Sequence, residues 1–290
     1  MNAAASAPPP PGARRWVSCA DDYAIDAGAT SAILDLIAHG RVTATSALVD
    51  APLWPAAAAQ LREQSAGAAA DIGLHLNLTQ AFAPGTPGVW PLGELIWRCA
   101  TGRLQRAALE SAIARQFDAF EQALGRAPDY IDGHQHVHQF GRVRDALIRE
   151  IQRRYAAAPP WLRSTRPPPG VRDRKARGIA WLGDRGLRTR AAAAGLALSP
   201  WLVGVYDFRA ANAADRAVYR EHVSRWIDLG PDASVLMCHP SSRAEPGDPI
   251  GAARTMEYAH LGGTEFGAAL HRAHITLVRG SALFAPSASA

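Results

Sequence analysis

The sequence has few cysteines, a single lysine and no long apolar run. Its 290 residues include three cysteines, Cys19, Cys99 and Cys238, and none of them forms a CxxC pair. So small and odd a set excludes a disulfide framework and favours a reducing compartment, so we expect a cytoplasmic protein. No run approaches the roughly 18 apolar residues that cross a bilayer, and we therefore expect no membrane partner.

Basic residues are plentiful although lysine is not. There are 31 of them against 26 acidic residues, and all except Lys175 are arginines. The arginines are spread through helix-like segments, with a denser stretch at residues 163–190. Such a spread is typical of a solvated surface, so the formal charge of +5 does not by itself indicate a nucleic-acid partner, and we expect none.

The length fits one folded domain, because alternating α/β barrels of ~250 residues are ordinary single domains. Residues 1–15 are rich in alanine and proline, with four consecutive prolines, and we predict a disordered tail there. Residues 16–280 are predicted to form the domain, and residues 281–290 a flexible C-terminal tail.

Hydrophobic periodicity predicts strands that alternate with helices. Strands are predicted at residues 16–20, 42–49, 71–76, 130–133, 161–163, 201–205, 233–238 and 275–278. Helices are predicted at residues 28–39, 56–70, 104–124, 143–155, 213–229 and 262–273, with one or two more within residues 171–199. This order calls for parallel strands with right-handed crossovers, and it predicts a single-domain α/β protein with a (β/α)-barrel-like fold, a distorted TIM-type barrel.

Residues 81–102 are rich in glycine and proline and are predicted to be a long loop above the site. The loop contains Trp90 and Trp97. Each of these side chains could stack on a sugar ring or could simply anchor the loop by packing.

The sequence is organised around residues 130–138, in which His134, His136 and His138 stand at alternate positions after a short apolar run. In an extended backbone, residues two apart point to the same face, so three imidazoles would lie together. Neutral imidazole is the commonest protein ligand for a transition metal, which indicates a metal site that uses one or two of them. The alternative is a polar loop whose histidines bond to the backbone.

Three other apolar segments also end in groups that bind metals or move protons. One runs into Asp21 and Asp22, one into His75, and one into His239. Because catalytic groups of parallel α/β folds lie at the C-terminal ends of the strands, we expect all four segments to meet at one mouth.

Asp22, His75 and His134 would together hold a divalent metal and leave coordination positions open, as a catalytic site requires. The metal would polarise a carbonyl and activate water. Asp21 could take the proton of the water, and His239 could protonate the leaving group. The alternative for the Asp21–Asp22 pair is a helix or loop cap. Two nitrogens and one oxygen suit zinc as well as magnesium.

Five ordered segments of the chain resemble signatures of the YdjC family of carbohydrate deacetylases, whose best known members act on chitooligosaccharides. They are Ala20-Asp21-Asp22-Tyr23, residues 41–46, residues 73–79, residues 131–138 and Met237-Cys238-His239-Pro240. The resemblance runs from Trp16 to about Val278. It implies a barrel-like fold and metal-dependent removal of an acetyl group from an N-acetylated sugar, with Mg²⁺ the metal usually assigned and Zn²⁺ the alternative.

Carried over by position, the resemblance implies metal ligands at Asp22, His75 and His134. Asp21 as base and His239 as acid follow from the analogy with polysaccharide deacetylases. His136 and His138 are left for roles beside the ligands or on the substrate. The expected partner is a small N-acetylated sugar, and a homodimer is left open.

The chain departs from the family pattern in the loop from Tyr23 to Thr30, where the usual Phe-Gly is Tyr23-Ala24. The glycine that usually follows His-Pro is Ser241. All candidate ligands are retained, so the departures bear on the choice of substrate. Two alternatives to a deacetylase remain open, namely a metal-dependent hydrolase of another bond such as a phosphoester, and a catalytically idle carbohydrate-binding barrel.

Overall fold

The computed structural model of the protein describes residues 12–65, 69–210 and 212–284. The strands are β1 (Arg14–Tyr23), β2 (Ala44–Ala47), β3 (Asp71–Leu76), β4 (Tyr130–Gly133), β5 (Trp161–Leu162), β6 (Trp201–Val203), β7 (Ser234–Cys238) and β8 (Ile275–Leu277). The α-helices are α1 (Ala27–Ala38), α2 (Trp54–Ser65), α3 (Leu92–Thr101), α4 (Arg106–Leu124), α5 (Gly141–Tyr155), α6 (Arg174–Trp181), α7 (Asp184–Ala193), α8 (Ala213–Leu229), α9 (Gly251–Gly262), α10 (Thr264–Arg272) and α11 (Ser281–Phe284). A 3-10 helix spans His134–Gln139.

The strands form one curled parallel sheet in the order β5-β4-β3-β2-β1-β7-β6, and β8 pairs with the first residues of β1. The two ends of this path approach each other, because Leu162 N donates to Ala197 O and Leu202 N donates to Arg166 O. The sheet thus curls into an incomplete (β/α)-barrel. The predicted barrel-like fold with parallel strands is confirmed.

Helices cover the outside of the sheet, so the strands are buried on both faces. Every residue of β3 is buried, and so is every residue of β7. This is typical of parallel sheets, which are shielded by their crossover helices. On α4, Ile113, Phe117 and Phe120 form part of the stripe that packs on the barrel.

Strand β1 lies in the middle of the sheet and carries an irregularity at its C-terminal end. Ala20 pairs with Thr45, but the next pair joins Tyr23 to Ala47, so β1 has one residue more than β2 between the two pairs. The backbone of Asp22 takes up this extra residue with a φ of 65°. Bulges of this kind re-aim side chains next to active sites.

The predicted strands and helices match those of the structure closely at residues 130–133 and 213–229. Two α-helices within the predicted domain were missed. Residues 92–101 were expected to be loop and form α3, and α9 was not expected. Of the one or two helices predicted within residues 171–199, two are present, α6 and α7. Residues 66–68 of the second predicted helix lie outside the described residues.

The predicted tails also require correction. Arg14 and Arg15 belong to β1 rather than to a disordered tail, whereas residues 1–11 lie outside the described residues. Ser281–Phe284 form α11 rather than the start of a flexible tail, and residues 285–290 lie outside. The start of α11 is held by Asp71, whose carboxylate accepts hydrogen bonds from the backbone N–H and hydroxyl of Ser281, both at 2.6 Å.

None of the described helices combines the length and the apolar character that crossing a membrane requires.

Gly73 in β3 allows the Tyr130 ring to lie close against the strand, and we predict that replacing it destabilises the barrel. A Cβ at Gly73 would lie 2.5 Å from the Tyr130 ring. We expect Gly73→Ala to lower the free energy of unfolding by about 1–3 kcal/mol, because overpacked side chains and backbone must shift. Urea unfolding followed by circular dichroism would measure it. Gly93→Ala on α3 is the control, since its Cβ meets nothing within 4 Å, and an equal loss in both variants would contradict the prediction.

Candidate metal centre and active site

The three predicted metal ligands lie together at the C-terminal ends of their strands. Asp22 Oδ1 is 3.0 Å from His134 Nδ1 and 3.3 Å from His75 Nε2. One ligand atom from each residue lies within 4.8 Å of the other two. Residues more than 50 positions apart in the chain therefore converge on one point, as the strand-end pattern predicts.

The two oxygens of Asp22 have different partners. Oδ1 faces the two histidines, and Oδ2 accepts a hydrogen bond of 2.7 Å from Arg254 Nη2. Burial would raise the pKa of Asp22, but Arg254 and His134 outweigh it and hold the pKa well below its usual range. Asp22 is therefore a carboxylate with one oxygen directed at the centre.

His75 is fixed by groups on two neighbouring strands. Its Nδ1 is 2.6 Å from Asp132 Oδ1 and 3.0 Å from Ser46 Oγ, and Ser46 Oγ donates in turn to Asp132 Oδ2. A carboxylate on the far nitrogen of a ligating histidine fixes its tautomer and leaves the other nitrogen for the metal. Burial alone would lower the pKa of His75, but Asp132 and Asp21 raise it to about 10. The centre thus favours a positive charge.

The histidine triplet does not lie on one face, and the prediction of an extended backbone was wrong. Residues His134–Gln139 form the 3-10 helix, with Gln135 and His136 at φ values of 52° and 60°. His134 and His136 line the cavity of the site. The Nε2 of His138 instead donates to the carbonyl of Arg163 at 2.8 Å, which is the backbone bonding that the alternative interpretation expected.

Asp21 is held by a buried arginine that sequence reasoning missed. Arg163 Nη1 and Nη2 donate to Asp21 Oδ1 and Oδ2 at 2.5 and 2.7 Å, and Nη1 also lies 2.9 Å from Asp132 Oδ2. Burial would lower the pKa of Arg163, but Asp132 and Asp21 outweigh it and raise the pKa well above its usual range. Arg163 immediately follows β5, so the strand-end pattern itself could have identified it.

A second group of metal-binding atoms, from Cys19, Asp21 and Asp132, lies beside the first. The guanidinium of Arg163 contacts all three residues, with its Nη1 3.3 Å from Cys19 Sγ. A cation therefore already occupies this group. Within the described residues, the chain offers one candidate metal centre and no second one.

His239 also lies near Asp21, with its Nε2 3.8 Å from Asp21 Oδ2. Its backbone N–H donates to Glu257, which also accepts a 2.7 Å hydrogen bond from the hydroxyl of Tyr206. Burial lowers the pKa of His239 to about 4, against the opposing effect of Asp21 and Asp22. His239 is therefore neutral near neutral pH. Sequence reasoning missed Glu257 and Arg254 because both lie on the unexpected helix α9.

These groups lie on the floor of a cavity of about 890 Å³. Its walls mix apolar and polar side chains. The apolar ones are Ile25, Leu92, Ile179, Leu182, Val205, Phe208 and Ile250, and the polar ones include Asp26, Gln80, Gln139, Lys175, Glu245 and Asp248. Neither tryptophan of residues 81–102 lines the cavity. Trp90 packs against the core, as the packing alternative expected, and Trp97 is half exposed beneath Arg103.

The chemistry of the donor set fits a divalent metal. Asp22 offers an ionised oxygen, His75 offers Nε2, and His134 offers Nδ1, all directed at one region open to the cavity. Three protein ligands with room for others are what catalytic zinc sites have, and carboxylate with water also suits magnesium.

Comparison with known proteins gives a consistent family match. The profile of the family described as YdjC-like protein matches residues 16–272. Chitooligosaccharide deacetylases of Escherichia fergusonii and Serratia marcescens are each 34% identical over 129 residues. The matched stretch covers 43% and 41% of this chain and 50% and 48% of those proteins. The chain thus spans about half the length of the curated relatives that it matches.

A solved structure shares the whole fold. It comes from Enterococcus faecalis V583 and is described as a candidate cellobiose-phosphate cleavage protein. It superimposes with a TM-score of 0.68 at 21% identity, covering 94% of this chain and 99% of that one.

We predict that Glu257 makes stability depend on pH. Burial raises its pKa from 4.5 to about 7, although bonds from His239 and Tyr206 oppose this. The folded state thus binds the proton more tightly than the unfolded state, so the stability that Glu257 contributes is lost as the pH rises from about 4.5 through about 7. We expect the unfolding free energy of the wild type to fall relative to Glu257→Gln across this window, in urea titrations with chelator present.

Glu110→Gln is the matched control. Glu110 is partly exposed, and hydrogen bonds from Arg106 and Arg149 lower its pKa, so its contribution changes only below the window. A difference between wild type and Glu257→Gln that is independent of pH would contradict the prediction.

Proposed function

The chain belongs to the YdjC-like protein family, and on that premise we propose that it is a metal-dependent carbohydrate deacetylase, which hydrolyses the acetamido group of an N-acetylated sugar. The observation that carries the proposal is the convergence of Asp22, His75 and His134 on the floor of a cavity, with Asp21 and His239 beside them. The names of the similar deacetylases support the choice of reaction.

Asp22, His75 and His134 would hold the metal, which would polarise the acetyl carbonyl and lower the pKa of a bound water. The ligand set of two imidazoles and one carboxylate suits zinc by its nitrogens and magnesium by its oxygen. Mg²⁺ is the expected ion, with Zn²⁺ as the alternative. Arg254 and Asp132 hold Asp22 and His75 in the orientation that binding requires.

The residues around the centre can handle the protons of an amide hydrolysis. Water adds to the acetyl carbon and gives its proton to Asp21, whose charge Arg163 stabilises. The C–N bond then breaks, and the amine nitrogen gains a proton from His239. Because His239 is neutral at rest, it must first acquire that proton, and Asp21 Oδ2 lies 3.8 Å from its Nε2. One proton thus passes from water to the amine, and the products are acetate and an amino sugar.

The altered loop after Asp22 bears on which sugar fits. Ile25 and Asp26 line the cavity, and the Asp26 side chain also caps α1 by accepting from Ala29 N at 2.7 Å. The departures from the family pattern therefore lie in the cavity wall. We propose that they change the preference among N-acetylated sugars and leave the reaction itself intact.

The alternative of a phosphoester hydrolase has less support. A two-metal site would favour it, but in the described part of the chain Arg163 occupies the second group of metal-binding atoms. The cytoplasmic location and the open question of a homodimer stay predictions.

We predict that the protein loaded with Mg²⁺ or Zn²⁺ releases acetate from at least one member of a panel of N-acetylated monosaccharides and chitooligosaccharides. Chelator should abolish the release, because the polarising charge is lost. An enzyme-coupled acetate assay measures it. Absence of acetate from every substrate with every metal would reject the deacetylase and leave the carbohydrate-binding barrel.

We predict that Asp22→Asn and Asp21→Asn both lower acetate release but differ in their effect on metal binding. Asp22→Asn removes a ligand charge, so we expect weaker metal binding by calorimetry together with loss of acetate release. Asp21→Asn should lower kcat by about 10²–10⁴, as expected on removal of a general base, with metal affinity changed much less. Asp35→Asn, on α1 and outside the cavity, is the control. Equal effects of the two variants on metal affinity would contradict the assigned roles.

A further inference from the structure

Helix α6 and its flanks carry an exposed surface that the proposed reaction does not use. Trp181 has 85% of its surface exposed, the highest value among the large hydrophobic residues exposed in the described chain. The next residue, Leu182, is 39% exposed. Two adjacent large apolar side chains thus protrude where α6 ends and the chain turns into α7.

Four arginines lie on α6 and on the segments that flank it. They are Arg172, Arg174, Arg177 and Arg185, and all are exposed. None of the four makes an ion pair with another described residue, unlike Arg188 and Arg190, which pair with Asp184 and Asp145. We call these four arginines together with Trp181 and Leu182 the α6 surface. It presents four positive charges that form no ion pair among the described residues, together with two exposed apolar side chains.

The helix geometry separates the α6 surface from the wall of the cavity. Arg174, Arg177 and Trp181 are spaced three and four residues apart, so they share one face of α6. Lys175 and Ile179, also four apart, lie on another face and line the cavity. Leu182 belongs both to the α6 surface and to the cavity wall, since it is exposed and lines the cavity. The α6 surface therefore lies beside the cavity mouth.

We propose that the α6 surface docks onto an anionic phospholipid bilayer. Arginines in this arrangement are attracted to the negative surface potential of such a membrane, while tryptophan and leucine side chains enter the interface between headgroups and acyl chains. Tryptophan is favoured at that depth because its ring is amphipathic. A nucleic acid would use the arginines and could stack on Trp181, but it would leave Leu182 without a role.

Docking through this surface brings the mouth of the cavity to the level of the lipid headgroups, because Leu182 is shared between the two. The proposal replaces the expectation, drawn from the absence of a long apolar run, that the protein has no membrane partner. A surface helix needs no such run, since it lies in the interface and does not cross the bilayer.

The test is co-sedimentation of the full chain with vesicles of phosphatidylcholine, with and without phosphatidylglycerol. We expect binding that requires phosphatidylglycerol and weakens as salt increases, because the attraction is screened. Arg174→Gln/Arg177→Gln should weaken binding about tenfold or more, and Trp181→Ala should also weaken it. Brominated lipid should quench tryptophan fluorescence in the wild type, and this quenching should be reduced in Trp181→Ala.

Matched controls lie elsewhere on the surface. Arg225→Gln/Arg272→Gln removes two exposed arginines of α8 and α10, and Trp97→Ala removes the half-exposed tryptophan of α3. Both should bind vesicles as the wild type does. Absence of vesicle binding, binding independent of phosphatidylglycerol, equal losses in the controls, or binding to single-stranded DNA alone would each overturn the proposal. The vesicle assay does not depend on acetate release, so it can fail or succeed separately from the proposed reaction.

Discussion

The candidate active-site region depends on the ion pairs of one buried guanidinium. Arg163 is fully buried and bonds both to Asp21 and to Asp132. Two carboxylates buried so close together would repel each other strongly without a cation between them. Arg163 lets Asp21 stay available at the cavity floor while Asp132 stays ionised, with its pKa lowered to about 2 by Arg163 and His75 against the effect of burial.

The charges around this arginine explain why the neighbouring centre favours a cation. Asp21, Asp22 and Asp132 bring three negative charges to one buried region. Arg163 and Arg254 supply two positive ones, each through short hydrogen bonds. Arg254 also pairs with Asp248, so negative charge is left in excess, and the site is stabilised either by a proton on His75, whose pKa is raised to about 10, or by a metal held between the same side chains.

The sequence predicts the strands and the residues at their ends more reliably than the helices and the side-chain directions. Buried parallel strands are short apolar runs, and each ends where its functional residue stands, so Asp22, His75 and His134 could be identified together. The directions of His136 and His138 could not, because a left-handed backbone at His136 breaks the alternation that the prediction assumed.

The contacts that helix α9 makes with the site could not be predicted from the sequence, for a different reason. Arg254 contacts a carboxylate 232 positions earlier in the chain. Arginines are mostly exposed, and the residues around Arg254 in the sequence are those of an ordinary surface helix. The sequence therefore does not distinguish this buried arginine from an exposed one. Glu257, three residues later, lies on the same side of the helix and is equally unmarked.

The two faces of α6 connect the outer surface with the catalytic region by a short series of contacts. On the cavity side, Lys175 Nζ donates to the carbonyl of Tyr206 at 2.7 Å. The hydroxyl of Tyr206 donates to Glu257, and Glu257 accepts the backbone N–H of His239. A membrane that positions α6 from outside therefore acts on a helix that is already bonded to the support of His239. These three hydrogen bonds therefore link α6 to His239, the residue proposed to protonate the leaving amine.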